Sequence, residues 1–161
     1  MAAKFEVVDY PALTLIGLNA DFYGGMSPKF NGQEVLGPIW GSVHRKIAEL
    51  GLTGNMIGAT RSADSGEEGL LNQFVGLVVD KLPADLNGLD VLELPAMTLA
   101  TYEHFGSMDG LVASIQKFYG EVLPGSGCNQ NSGWHLEIYD ERFDFQNPDS
   151  VMLIAAPVSK N

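Results

Sequence analysis

The chain repeats itself, and that constrains its architecture more than anything else in it. Tyr10-Pro11-Ala12-Leu13-Thr14-Leu15 returns as Leu94-Pro95-Ala96-Met97-Thr98-Leu99, 84 positions later, so two copies of one unit are expected. A short, partly alternating stretch opens each copy, Phe5 to Asp9 in the first and Asp90 to Glu93 in the second. The Pro-Ala step should break it and start another strand, because proline has no N–H to give a ladder. Each copy then offers a helix. The first, from about Gly37 to Leu50, lines up Ile39, Val43, Ile47 and Leu50, with Pro38 in its first turn. The second, from about Met108 to Leu123, puts Leu111, Val112, Ile115, Phe118, Tyr119, Val122 and Leu123 at amphipathic spacing. Two strands complete each copy: Asn55 to Arg61 and Gln73 to Val79, then Trp134 to Asp140 and Val151 to Pro157. The Gly-, Ser-, Asn- and Asp-rich stretches Ser62 to Gly69, Pro124 to Gly133 and Gln146 to Ser150 read as loops.

The predicted fold is therefore α+β: two βαββ repeats related by pseudo-two-fold symmetry, with an antiparallel sheet, helices and a ligand cleft at the seam. One such unit is too small to bury both a sheet face and a helix, so the halves, about 1–81 and 90–161, should join in a single domain with Leu82 to Leu89 as linker. Cavities tend to form where such halves meet.

Charge narrows the functions available. Nine Lys and Arg against twenty Asp and Glu give a net charge of -11, and the positive residues are scattered, which argues against direct binding to nucleic acid or to an anionic membrane. The acids are dispersed too, so they serve solubility better than docking on a protein. A single cysteine, Cys128, permits no internal disulfide, and no run is apolar for long enough to span a bilayer, so a cytoplasmic location is expected. No His-Glu pair has recognised metal-ligand spacing and no Gly-rich segment matches a phosphate loop or a dinucleotide fingerprint, so neither metal nor cofactor is expected.

The informative segment is Gly133 to Phe143, which reads as a strand. Alternation turns His135, Glu137 and Tyr139 one way and Trp134, Leu136 and Ile138 the other. Either the first set lies on a solvent face, or Glu137 is a buried acid. A buried acid needs hydrogen-bond partners or a cation, since isolation would cost several kcal/mol. Alignment of the repeats sets Gly58-Ala59-Thr60 against Glu137-Ile138-Tyr139, a glycine where the second half has the acid.

The chain resembles the gyrase-inhibitor-like (GyrI-like) small-molecule-binding domains, which also serve as effector-binding domains of bacterial multidrug-responsive transcription regulators. The resemblance spans nearly the whole chain. It rests on the two Pro-Ala openings, on Ile39-Trp40, Ile57-Gly58 and Phe74 to Val78, then on Tyr119 to Pro124, Glu137 to Phe143 and Ile154 to Val158. It implies a pocket between the halves for amphipathic, often cationic, aromatic compounds, with the glutamate of Glu137-x-Tyr139 inside it. Trp40, Tyr102, Phe105, Tyr119, Trp134 and Tyr139 are the aromatic candidates for its wall, each with ordinary core packing as the alternative.

The reading is a stand-alone sensor or sequestering module for a cationic aromatic small molecule. The strand pattern starts by about residue 4, which leaves no helix-turn-helix before it, so regulation of transcription would need a protein partner; a homodimer is a further option. The alternative is a hydrolase. Some relatives look like enzymes that open strained electrophilic rings, for which Glu137 could act as general base with a tyrosine holding the leaving oxygen.

Overall fold

The computed structural model describes residues 2–25, 27–131, 133–144 and 146–160. Two compact units emerge. One is the continuous segment 13–94, the other combines residues 1–12 with 95–161. The Pro-Ala steps account for this division, because the strand before each step pairs in a different unit from the strand after it.

In the continuous unit the elements are β2 (Leu13–Tyr23), α1 (Gly32–Glu49), β3 (Met56–Ser62), β4 (Leu70–Val79) and β5 (Asp90–Leu94), preceded in the chain by β1 (Phe5–Tyr10). Its strands run antiparallel in the order β3-β4-β2-β5. Leu15, Ile16, Val43, Ile57, Val75 and Leu77 form the core; each fully buried side chain of this kind contributes about 1.5–3 kcal/mol. Helix α1 begins at Gly32, ahead of the expected start near Gly37, and Pro38 lies inside it rather than in its first turn. Gln33, Glu34 and Leu36 are good helix formers, and they extend the helix back to Asn31. The Asn31 carbonyl accepts from the Val35 N–H, while its side-chain Oδ1 accepts from the Tyr23 N–H at 2.8 Å, stitching the end of β2 to the start of α1.

The discontinuous unit holds β1, β6 (Met97–Phe105), a 3-10 turn (Met108–Gly110), α2 (Leu111–Lys117), a π-helical turn (Phe118–Val122), α3 (Leu123–Gly125), β7 (Cys128–Gln130), β8 (His135–Tyr139) and β9 (Val151–Lys160). Its strands are antiparallel in the order β1-β6-β9-β8, with β7 pairing the last residues of β9. The short β7 falls in the stretch read from sequence as a loop; the length of β9 supplies the edge that orders it. Leu99, Phe118, Leu136, Met152 and Ile154 are almost fully enclosed. Val112 departs from the expected apolar face and is 61% exposed. It is turned ~100° from Leu111, and the inward positions belong to Ser114, Ile115 and Phe118.

Backbone approach is closest between β2 and β4, where Gly17 faces Gly76. A methyl group at Gly17 would land on the Val75 carbonyl oxygen. Gly17→Ala is therefore expected to destabilise the protein by more than about 3 kcal/mol, as overpacking against rigid backbone does, whereas Gly41→Ala, which meets nothing within 4 Å, should be neutral or mildly stabilising. Urea unfolding of both variants checks this.

Candidate functional site

Register brings the site together. Phe5 pairs with Tyr102, Tyr102 with Ile154, and Ile154 with Glu137, so these four side chains stand in a row on one face of the discontinuous unit. Alternation adds His104 and Met152 to that face, and His135 and Tyr139 beside the glutamate. The helical segment covers it: Phe118, with no exposed surface, stacks on Tyr102 at 5.9 Å between ring centroids. Of the two positions open to Glu137 from sequence, a bare solvent face or a covered one, the chain adopts the covered one.

Glu137 is 13% exposed in its side chain and is held by neighbours two residues either way. The Tyr139 hydroxyl donates to Oε1 at 2.9 Å, and His135 Nε2 lies 3.1 Å from Oε2. The Tyr119 hydroxyl lies 2.7 Å from His135 Nδ1. With its proton on Nε2 the imidazole donates to the carboxylate and accepts from Tyr119 at Nδ1; a doubly protonated ring meets the same contacts by donating to both. Tyr119 reaches this position from the π-helical turn, the kind of local irregularity that recurs at functional sites. Its ring meets Phe118 edge-on at 4.8 Å and His135 at 5.7 Å. Tyr102, Phe118, Tyr119 and His135 thus form a continuous aromatic run leading to one carboxylate.

The electrostatics follow from burial. Enclosure raises the Tyr119 and Tyr139 phenols above their ordinary range, and the charge of Glu137 raises both further. Both remain hydrogen-bond donors at neutral pH. Among the described residues, no lysine or arginine forms an ion pair with Glu137. Arg142 is occupied on the opposite face, bridging Asp140 at 3.1 Å and Glu103 at 2.9 Å. The arrangement is a partly enclosed carboxylate held by a tyrosine and a histidine, with aromatic rings beside it. It can accept a cation, or take a proton from a molecule placed against it.

The other sequence candidates are distributed as follows. Tyr139 bonds Glu137 directly, Tyr119 reaches it through His135, and Tyr102 stands two strands away in the same row, beyond Ile154. Phe105, one step beyond His104 on β6, points to the opposite face. Trp134 precedes β8 and is half-buried. Trp40 lies on α1 of the other unit, its ring 5.9 Å from that of His44. His135 is the residue that sequence reasoning missed; its position two before Glu137 on an alternating strand was the available signal. His104, 3% exposed, bonds Ser114 Oγ at 2.7 Å and the Ser107 carbonyl at 2.8 Å, which ties β6 to the start of α2. No group of three or more His, Cys, Asp or Glu among the described residues is placed to hold a metal ion, and no helix among them is long and apolar enough to cross a membrane.

Residues 3–157 match the GyrI-like small molecule binding domain, and the chain belongs to that family. Solved structures share its fold at low sequence identity. SAV2435 bound to tetraphenylphosphonium is 15% identical, with a TM-score of 0.73 over 97% of this chain and 94% of that one. The EcmrR C-terminal domain is 18% identical, with a TM-score of 0.64 over the whole of both chains. A hydrolase from Listeria innocua is 13% identical, with a TM-score of 0.56 over 97% of this chain and 92% of that one. No curated protein matches the chain in sequence.

The raised phenols set a pH dependence. Above the ordinary value of 10.0 the unfolded chain releases phenolic protons that the folded chain keeps, so this contribution to stability is full below about pH 10 and is lost as pH rises further. Melting temperature followed between about pH 8 and about pH 12 should fall across that upper range, and less steeply in Tyr139→Phe.

Proposed function

We propose that this chain is a binding protein for cationic, aromatic small molecules, acting as a sensor or sequestering module, with Glu137 as the charge anchor and Tyr102, Tyr119 and Tyr139 as the aromatic surroundings. The observation that carries the reading is a carboxylate only 13% exposed, held by a tyrosine and a histidine and, among the described residues, paired with no lysine or arginine. A lipophilic cation suits such a site. It loses little hydration on entry, its charge is compensated by the carboxylate, and its rings meet aromatic faces worth about 0.5–2 kcal/mol each as cation–π contacts. The family's small-molecule binding supports this, as does tetraphenylphosphonium on SAV2435, a cation with no hydrogen-bonding group at all. Trp40, Phe105 and Trp134 remain candidates for further contacts. The pseudo-symmetric duplication inferred from the repeated motif is part of the same reading.

At ~5 Å and an effective dielectric of ~20, a pair of unit charges is worth about 3 kcal/mol before desolvation. Glu137→Gln should therefore weaken tetraphenylphosphonium and rhodamine-type dyes by about ten- to hundredfold, with the fold kept because the amide still accepts from Tyr139. Titration followed by tryptophan fluorescence measures this, and equal binding by the variant would exclude Glu137 as the anchor.

The hydrogen-bonded chain from Tyr119 through His135 to Glu137 favours a second reading, hydrolysis of strained-ring electrophiles. Glu137 would take a proton from water while His135 holds its second oxygen and a phenol hydrogen-bonds the developing oxyanion. Product formation from epoxide and ester substrates that is lost in Glu137→Gln would establish it; saturable dye binding with no turnover would leave the binding reading alone.

A further inference from the structure

Histidine is the side chain whose charge changes closest to neutral pH, and the carboxylate of Glu137 has one beside it. His135 is bonded at both ring nitrogens: Nε2 lies 3.1 Å from Glu137 Oε2, and Nδ1 lies 2.7 Å from the Tyr119 hydroxyl. These two partners suit either charge state of the ring. A carboxylate oxygen only accepts, so Nε2 keeps its hydrogen in both. A hydroxyl donates or accepts: it gives its hydrogen to Nδ1 of the neutral ring and, with that hydrogen turned away, accepts from Nδ1 of the protonated one. A proton can thus come and go at Nδ1 while every heavy atom keeps its place. The His135 side chain is 22% exposed, so solvent is at hand to exchange it. What changes is the charge 3.1 Å from the carboxylate. Beside the neutral ring the charge of Glu137 is uncompensated; beside the protonated ring it is already paired.

Among the described residues, no other group on this face duplicates that change. Tyr139 on the same strand and Tyr119 on the π-helical turn are phenols whose protons burial holds more firmly than usual. From β6 come Tyr102 and His104, and His104 is bonded to Ser114 and the Ser107 carbonyl instead. β9 contributes Met152 and Ile154, and β1 contributes Phe5 and, at its far end, Asp9, exposed and bonded to Thr98. Lys117 and Glu121 on the helical segment are exposed, and Arg142 is paired with Asp140 and Glu103.

We propose that a proton on His135 and a cationic ligand at Glu137 oppose each other, so that the site holds cations when His135 is neutral and releases them when it is protonated. The inference rests on the binding reading above and adds its regulation: acidification empties the site without moving the fold.

Tetraphenylphosphonium has no titratable group, so any change of its affinity with pH belongs to the protein. On the full chain at fixed ionic strength, its affinity should rise about tenfold from about pH 5.5 to about pH 8. Linkage is reciprocal, so calorimetry at about pH 6.5 in two buffers of different ionisation enthalpy should show protons released as the cation binds. His135→Gln keeps an amide donor for Glu137 but takes up no proton. Whatever its absolute affinity, the pH dependence should flatten to within about twofold and the proton release should vanish. His135→Asn makes the same comparison if the glutamine variant does not fold, and melting curves over the same pH range show which proteins are folded. A wild-type affinity that does not change with pH, binding without proton release, or a pH dependence that survives in the folded variant overturns the His135 switch and leaves the Glu137 reading standing. Failure of the wild type to bind the cation at any pH in the range overturns both.

Discussion

Backbone pairing of β1, β6, β9 and β8 places Phe5, Tyr102, Ile154 and Glu137 in a single row, and the surroundings of the carboxylate follow from it. Tyr102 and Ile154 make the floor apolar, Phe118 stacks above Tyr102, and the next residue, Tyr119, is carried over to His135. A slip of one residue in β8 would put Leu136 and Ile138 on this face and leave the acid on the other. Burial guards against that slip, because Leu136 and Ile138 are 1% and 4% exposed where they are.

An acid in such a place has two ordinary ways to be stabilised, a fixed cation or a set of neutral donors. A lysine or arginine would hold the charge firmly and leave nothing for a ligand to compensate. Tyr139 and His135 donate one hydrogen bond each, and neither is a permanently charged group. The pair keeps the carboxylate oriented while its electrostatic potential stays open to whatever approaches. The tyrosines are suited to this, since burial beside an anion makes their protons harder to remove.

Much of the framework was legible in the sequence: the repeated Pro-Ala opening, the two helical periods, and the alternation that set His135, Glu137 and Tyr139 together. What was not legible depended on distant partners. A single strand shows which residues share a face but not which face is covered; that was decided by Phe118, seventeen or more residues from any part of β8. Pro38 signalled a helix start and instead lies within the helix, because the residues before it favour helix strongly enough. The π-helical turn that aims Tyr119 has no pattern of its own, and the short β7 exists only because β9 is long enough to pair with it.

The strand exchange at the two Pro-Ala steps has a consequence for how the protein is made. In residues 13–94 the strands β2, β3, β4 and β5 pair with one another, so this unit can close as soon as its last strand has left the ribosome. β1 is synthesised first yet must wait for β6, with Glu6 and Thr101 meeting 95 residues apart, and the Glu137 row is complete only after β9 arrives. During that interval the first-made strand is an unpaired edge, the sort of segment that invites wrong partners. Its exposed Glu6 and Asp9 place charge along that edge, a protection that serves already before the fold exists.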